Sequence, residues 1–172
     1  MREIIDLFWR SQIPFLVIGG HAVNLYNVHR TTQDVDCMVA ASDKPAVAAM
    51  LVERGFVESP QEAGFSRFRH SSLSYPVVDV MQVNEATWSK MWPVRKETEL
   101  FGVPVSVPAL PHLIALKLHA IKQNPARLLK DGSDITQLVS TKPGLLDAGE
   151  LKALCERYAP AGFFETMRPY LK

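Results

Sequence analysis

The spacing of hydrophobic and polar residues predicts strands mixed with helices up to residue 108 and helices alone after it. Residues 3–11 place Ile4, Ile5, Phe8 and Trp9 on one helical stripe. Other apolar or alternating runs predict strands at 15–18, 34–40, 65–70 and 77–83, a hairpin at 98–107, and helices at 44–54, 110–123, 129–140, 146–158 and 162–170. The pattern predicts an α/β (α+β) fold: a mixed, twisted sheet flanked by helices, then a helical C-terminal part.

Composition and charge narrow the class of protein. The chain has 172 residues, 47% of them hydrophobic and 22% charged, with a net charge of +1. Such a balance is typical of a globular domain, and the bulk charge argues neither for nor against a polyanionic partner. Charged residues interrupt the N-terminus, and no uncharged run approaches the roughly 20 residues that a membrane span requires. With Cys37 predicted as a buried thiol, we expect a cytoplasmic protein without membrane contact.

Two acidic residues open the strand at 34–40. Asp34 and Asp36 are two positions apart, so their side chains point to the same face, while Cys37 and its apolar neighbours point to the other. Like charges side by side at the start of a buried strand are unfavourable unless a cation lies between them. A divalent metal ion with a phosphate ligand is the simplest such cation. Asp79, on the strand at 77–83, could join them if the two strands are neighbours.

The segment FLVIGGHAVNLYNVHRTTQDVDCMVA, residues 15–40, resembles the nucleotidyltransferase superfamily with the DNA polymerase β-like fold. It is most similar to a small bacterial branch that includes toxin-type enzymes. The matching residues are Gly19, Gly20, Ala22, Val23, Asn24, Arg30, Thr32, Asp34 and Asp36. The later strand VVDVMQV with Asp79 and the segment LPHLIALKLHAIKQNPARLLKDGSDITQL extend the likeness over most of residues 13–140. The resemblance implies a nucleotidyltransferase core in 1–108, with 109–172 as a helical region packed on it.

The resemblance also implies roles for particular residues. Asp34, Asp36 and Asp79 would bind Mg²⁺, or Mn²⁺, and take part in catalysis, with Asp79 as the candidate base. The nucleoside triphosphate (NTP) would be bound by Gly19, Gly20, Arg30, Thr32 and Lys117. For Arg30, an ion pair with one of the aspartates is an equal alternative. Many members of the superfamily have serine where this chain has His21, so a serine hydroxyl contact to the phosphates is missing here.

Lys117 interrupts an apolar helix face. It lies on one stripe with Leu113, Leu118 and Ile121. A lysine there is costly unless its ammonium reaches an anion. One interpretation is an ion pair with Asp131 or Asp134 of the next helix. The other, implied by the resemblance, is a catalytic lysine that contacts the triphosphate, and both can hold together.

The implied function is Mg²⁺-dependent transfer of a nucleoside monophosphate from an NTP to a hydroxyl acceptor. By resemblance to the superfamily, the acceptor would be the 3′ end of an RNA, a protein hydroxyl or a small molecule such as an aminoglycoside. The likeness to the toxin-type branch favours tRNA or a protein, with an antitoxin as a possible partner. The alternative is a catalytically inactive, nucleotide-binding or partner-binding module of a toxin–antitoxin type pair. Arg67 and Arg69 share a strand face that could meet a polyanion, but a solvated face is the default explanation.

Overall fold

The computed structural model describes residues 1–59, 64–141 and 146–170, which divide into two units. The first unit comprises Met1–Leu25 and Arg30–Pro108, and the second comprises Tyr26–His29 and Ala109–Lys172. The chain therefore leaves the first unit for four residues directly before Arg30. Within the described ranges, no helix combines the length and the apolar character needed to cross a membrane.

The first unit contains a mixed sheet and a separate hairpin. Its strands are β1 (Leu16–Val17), β2 (Val35–Ala40), β3 (Phe56–Ser59), β4 (Phe65–His70), β5 (Val78–Val83), β6 (Lys96–Leu100) and β7 (Val103–Val107). In the part of the chain that the structure describes, five of them form a sheet in the order β1-β2-β5-β4-β3, and β6 pairs with β7. The β2–β5 pair is parallel, and the other neighbours are antiparallel. The predicted mixed sheet is confirmed.

Strand β2 lies inside the sheet and carries much of the core. Val35, Cys37, Met38 and Val39 are fully buried, so both faces of this strand are covered. The prediction of a buried Cys37 thiol is confirmed, and burial, followed by repulsion from Asp36, raises the pKa of that thiol. Because both faces are covered, the strand direction and the positions of its few polar side chains are closely fixed.

Helices pack around this sheet. They are α1 (Arg2–Arg10), α2 (Gly19–Leu25), α3 (Lys44–Glu53) and α4 (Glu85–Met91), with 3₁₀ turns at Ala41–Asp43 and Trp92–Val94. Helix α1 buries Ile4, Ile5 and Phe8, but Trp9 is 44% exposed. The expectation that Trp9 shares the buried stripe is wrong, because Trp9 lies about 140° around the helix from Ile4, outside the arc of about 100° that the three buried residues span.

The second unit is helical. It contains α5 (Leu110–Gln123), α6 (Leu128–Thr141), α7 (Ala148–Tyr158) and α8 (Phe163–Met167), with 3₁₀ turns at Pro125–Arg127 and Arg168–Tyr170. Helix α5 has the predicted bounds and buries the predicted stripe, including Lys117. Helix α7 begins with a capping box in which Asp147 accepts from the amide of Glu150, and the Glu150 side chain accepts from the amide of Asp147.

Strand β3 and helix α4 were not predicted from the sequence. Strand β3 is short and lacks a clean alternation, and it exists because it pairs with β4. Helix α4 begins after Asn84, whose side chain accepts from the amide of Thr87 at 2.9 Å. That asparagine was a usable sequence signal. At the start of α3, Asp43 occupies the cap position without a side-chain hydrogen bond.

Candidate functional site

Two of the three predicted acidic residues are direct neighbours in the sheet. Asp36 on β2 is the register partner of Asp79 on the parallel strand β5. Register partners on adjacent strands are about 4.8 Å apart and project to the same face. Asp36 is half-buried and Asp79 is buried. Asp34, also half-buried, lies directly before β2, two positions from Asp36.

The Gly19-Gly20 turn lies against these residues and has no room for side chains. Gly19 has φ +61°, and a Cβ there would overlap the carboxylate of Asp36. A Cβ at Gly20 would lie 2.6 Å from Oγ1 of Thr32 and 3.3 Å from the guanidinium carbon of Arg30. Because both residues lack a side chain, the glycine turn can lie close to Asp36 on β2 and to the segment before β2 that carries Arg30 and Thr32.

Asn24 fixes the segment that carries Arg30 and Thr32. Its Nδ2 donates to the carbonyl of Arg30, and its Oδ1 accepts from the amide of Arg30, both at 2.9 Å. Two bonds from one side chain hold the backbone where the chain re-enters the first unit. Sequence reasoning placed Asn24 in the motif but gave it no role.

Arg67 is a member of this cluster that the sequence did not identify. It is the register partner of Asp79 on the other side of β5, so the row Asp36–Asp79–Arg67 crosses three adjacent strands. Its Nε donates to Oδ1 of Asp79 at 2.7 Å and its Nη2 donates to Oδ2 at 2.6 Å. The hydrogen bonds to Asp79 raise the pKa of Arg67 against the effect of burial, and attraction to Asp79, Asp34 and Asp36 raises it further. A fully solvated face is therefore the wrong interpretation of Arg67.

His21 is buried beside the glycine turn. Its ring meets Phe101 edge-on, with centroids 5.5 Å apart. Burial, then repulsion from the N-terminal ammonium and from Arg30, lowers the pKa of His21, so it is neutral at pH 7. Its Nε2 is buried and has no hydrogen-bond partner among the described residues.

In the second unit, Lys117 forms a buried charge network. Its Nζ donates to Oδ1 of Asp131 at 3.0 Å and to Oδ2 of Asp134 at 2.6 Å. Arg127 donates to the other oxygen of Asp131 at 2.6 Å. Burial alone would raise the pKa of Asp131, but attraction to Lys117 and hydrogen bonds from Arg127 and Lys117 outweigh it and lower that pKa. The predicted ion pair is present with both aspartates.

The donor chemistry of the acidic cluster suits Mg²⁺, which prefers carboxylate oxygens. Asp34 and Asp36 can supply such oxygens, but both oxygens of Asp79 are held by Arg67. In keeping with this, no three histidine, cysteine or acidic side chains among the described residues already form a group that could hold a metal ion. A site using all three aspartates would require Arg67 to release Asp79.

Comparison with known proteins identifies the fold. No protein-family model matches the chain, and no curated protein matches its sequence. Solved structures do match. The antibiotic-resistance factor ANT(2'')-Ia superposes with a TM-score of 0.68 at 12% identity over 98% of this chain and 97% of that one. The chain has a nucleotidyltransferase fold.

Other solved structures agree with this assignment. ANT(2'')-Ia in complex with adenylyl-2''-tobramycin gives a TM-score of 0.68 at 14% identity, covering 97% of this chain and 95% of that one. The lincosamide adenylyltransferase LnuA, bound to lincomycin, gives 0.59 at 16% identity over 82% and 95%. A nucleotidyltransferase-like protein from Paracoccidioides brasiliensis gives 0.58 at 15% identity over 98% and 89%. The likeness at these identities concerns the fold, and the toxin-type branch stays a prediction.

Proposed function

We propose that this protein is a Mg²⁺-dependent nucleotidyltransferase that transfers a nucleoside monophosphate from an NTP to a hydroxyl group. The observation that carries the proposal is the pairing of Asp36 with Asp79 beside a glycine turn too tight for any side chain. The structural neighbours with this fold include enzymes whose substrates are antibiotics. These neighbours support small molecules with hydroxyl groups as an acceptor class, beside tRNA and protein.

Each residue of the candidate site would have its own role in the transfer. The backbone at Gly19-Gly20 can approach the phosphates closely, with Arg30 and Thr32 next to it. Asp34, Asp36 and, once Arg67 has released it, Asp79 would hold Mg²⁺, which when bound neutralises the triphosphate. The acceptor oxygen attacks the α-phosphorus, the bond to the bridging oxygen breaks, and pyrophosphate leaves. Asp79 would act as the general base: it would orient the acceptor hydroxyl and accept its proton.

The test is incubation with α-labelled NTPs and Mg²⁺, with total tRNA, cell lysate or an aminoglycoside supplied as separate acceptors. We expect one acceptor class to become labelled. In Asp36→Asn the rate of labelling should fall by about 100-fold or more, because charge stabilisation is the main contribution to catalysis in such sites. The matched control is Asp43→Asn, a carboxylate of the same unit that makes no capping hydrogen bond. No transfer by the wild type to any acceptor would contradict the proposal.

The second candidate is an inactive nucleotide-binding or partner-binding module, such as one member of a toxin–antitoxin pair. The grip of Arg67 on both oxygens of Asp79 favours it, because a base in a bidentate ion pair is a poorer proton acceptor. Calorimetric titration with a non-hydrolysable NTP analogue separates the two candidates. Nucleotide binding without transfer to any acceptor would favour the inactive module.

A further inference from the structure

We propose that Arg67 is a positioning residue that competes with the divalent metal for Asp79 and releases this aspartate when a nucleotide arrives. The inference rests on the proposed function only in taking the acidic cluster as the metal site. It predicts that metal and nucleotide bind cooperatively, because each removes an obstacle to the other. Arg67 thus delays metal binding until the substrate is present.

The first step is that Arg67 and a metal ion require the same oxygens. Both carboxylate oxygens of Asp79 accept from the guanidinium, at 2.7 and 2.6 Å. Asp79 is in turn the register partner of Asp36, so Arg67 lies at one end of the row that crosses β2, β5 and β4. A dication held by this cluster would be repelled by a guanidinium in the same place. Arg67 therefore has to leave before Asp79 can serve a metal.

The second step is that Arg67 is able to leave. Its side chain is 34% exposed, whereas that of Asp79 is 5% exposed. The aspartate is fixed in the sheet, and the arginine reaches it from the solvent side on a long, flexible stem. The backbones of β4 and β5 pair with each other independently of these two side chains. Arg67 can therefore rotate away from Asp79 without moving either strand.

The third step is that a nucleotide provides Arg67 with a replacement partner. A guanidinium binds phosphate and carboxylate with the same two-pronged geometry. A triphosphate at the acidic cluster would thus compensate for the loss of Asp79. Metal alone offers no such compensation, so metal alone should bind weakly.

The experiment measures Mn²⁺ affinity by electron paramagnetic resonance or calorimetry, with and without a non-hydrolysable NTP analogue. In Arg67→Gln we expect Mn²⁺ alone to bind at least about tenfold more tightly than in the wild type, a factor that corresponds to about 1.4 kcal/mol. The analogue should strengthen Mn²⁺ binding in the wild type and do so much less in the variant. Adding Asp36→Asn to Arg67→Gln should abolish the gain in Mn²⁺ affinity.

Matched variants separate competition from a structural role. Arg69→Gln is the control, since Arg69 lies on the same strand but donates to Ser59 at 3.1 Å instead of to Asp79. Arg67→Lys keeps the charge and loses the bidentate grip, so its Mn²⁺ affinity should fall between those of the wild type and Arg67→Gln. If Arg67→Gln has a lower melting temperature than the wild type without metal, Mn²⁺ should raise the melting temperature of the variant more than that of the wild type.

Equal or weaker Mn²⁺ binding in Arg67→Gln would overturn the inference, as would an unchanged effect of the NTP analogue. Absence of Mn²⁺ binding in both proteins would overturn it as well. The proposed transfer activity fails separately. If no acceptor is labelled while Mn²⁺ binding behaves as expected, the competition stands and the transferase proposal does not.

Discussion

Replacement of Lys117 by methionine tests whether this lysine is held mainly by its ion pairs. Methionine fills a similar volume on the apolar face of α5 but removes the charge. In the native protein, the Lys117 side chain is 6% exposed and contacts Asp131 at 3.0 Å and Asp134 at 2.6 Å. The change therefore removes one cation from between two buried carboxylates.

The size of the effect follows from those contacts. Removing one partner of a buried ion pair costs about 3–5 kcal/mol, because the remaining charge is left uncompensated. Asp131 keeps its hydrogen bond from Arg127, which limits its share of the loss. We expect the free energy of unfolding to fall by about 3–5 kcal/mol at pH 7. Lys122→Met, an exposed lysine on the same helix, should change it by less than about 0.5 kcal/mol.

The assay is urea denaturation followed by far-UV circular dichroism, which reports on the helix content of the protein. The double variant Lys117→Met/Asp134→Asn should recover part of the loss, since it also removes one of the two buried negative charges that Lys117 contacts. A loss below about 1 kcal/mol in the single variant, or simple additivity in the double variant, would refute the reasoning.

The same variant tests the catalytic role predicted for Lys117. If its ammonium also contacts the triphosphate, NTP affinity of the folded protein should fall by about 1.5–3 kcal/mol, the range for a hydrogen bond to a charged group. Calorimetric titration below the urea transition measures this. Unchanged affinity would exclude Lys117 from the nucleotide site and leave it as a structural residue.

Two further predictions concern the glycine turn and its histidine. Gly20→Ala should lower the free energy of unfolding by about 1–3 kcal/mol and weaken nucleotide binding, because the new methyl group collides with Thr32. The control Gly132→Ala in α6 should be neutral or stabilising by up to about 1 kcal/mol. Equal effects of the two variants in urea melts would contradict this prediction. Burial lowers the pKa values of His21 and His112, so the unfolded chain takes up protons first as the pH falls below about 6.5, and stability should drop there. His21→Leu should flatten that drop in melts from pH 7 to 5, and an unchanged slope would show that His21 does not cause it.

Much of the site was predictable because it depends on local rules. Strand alternation places Asp34 and Asp36 on one side, and the same rule gives the phase of Asp79 on β5. The 3.6-residue period located Lys117 on the buried face of α5, where the structure places it. What these rules cannot provide is the register between strands. Without it, nothing in the sequence links Arg67 to Asp79, twelve residues away.

The remaining differences also come from tertiary contacts. Strand β3 depends on its partner strand, and residues 26–29 belong to the second unit although both flanking segments belong to the first. A periodic pattern describes how one element distributes its apolar residues, but not which element covers them. Residues that act through partners distant in sequence therefore require the structure.

Exposure is what separates the Arg67–Asp79 pair from the Lys117 network. Lys117 and its aspartates are all nearly inaccessible to water, so removing the lysine takes away a compensating charge that water cannot replace. Arg67 differs, since one third of its side chain is exposed while its aspartate is buried. Water can solvate a departing guanidinium, whereas it cannot reach a departing ammonium at Lys117. Salt should accordingly weaken the Arg67–Asp79 pair more than the Lys117 network. Of the two cations, Arg67 is therefore the one whose partner can be exchanged for a ligand at low cost.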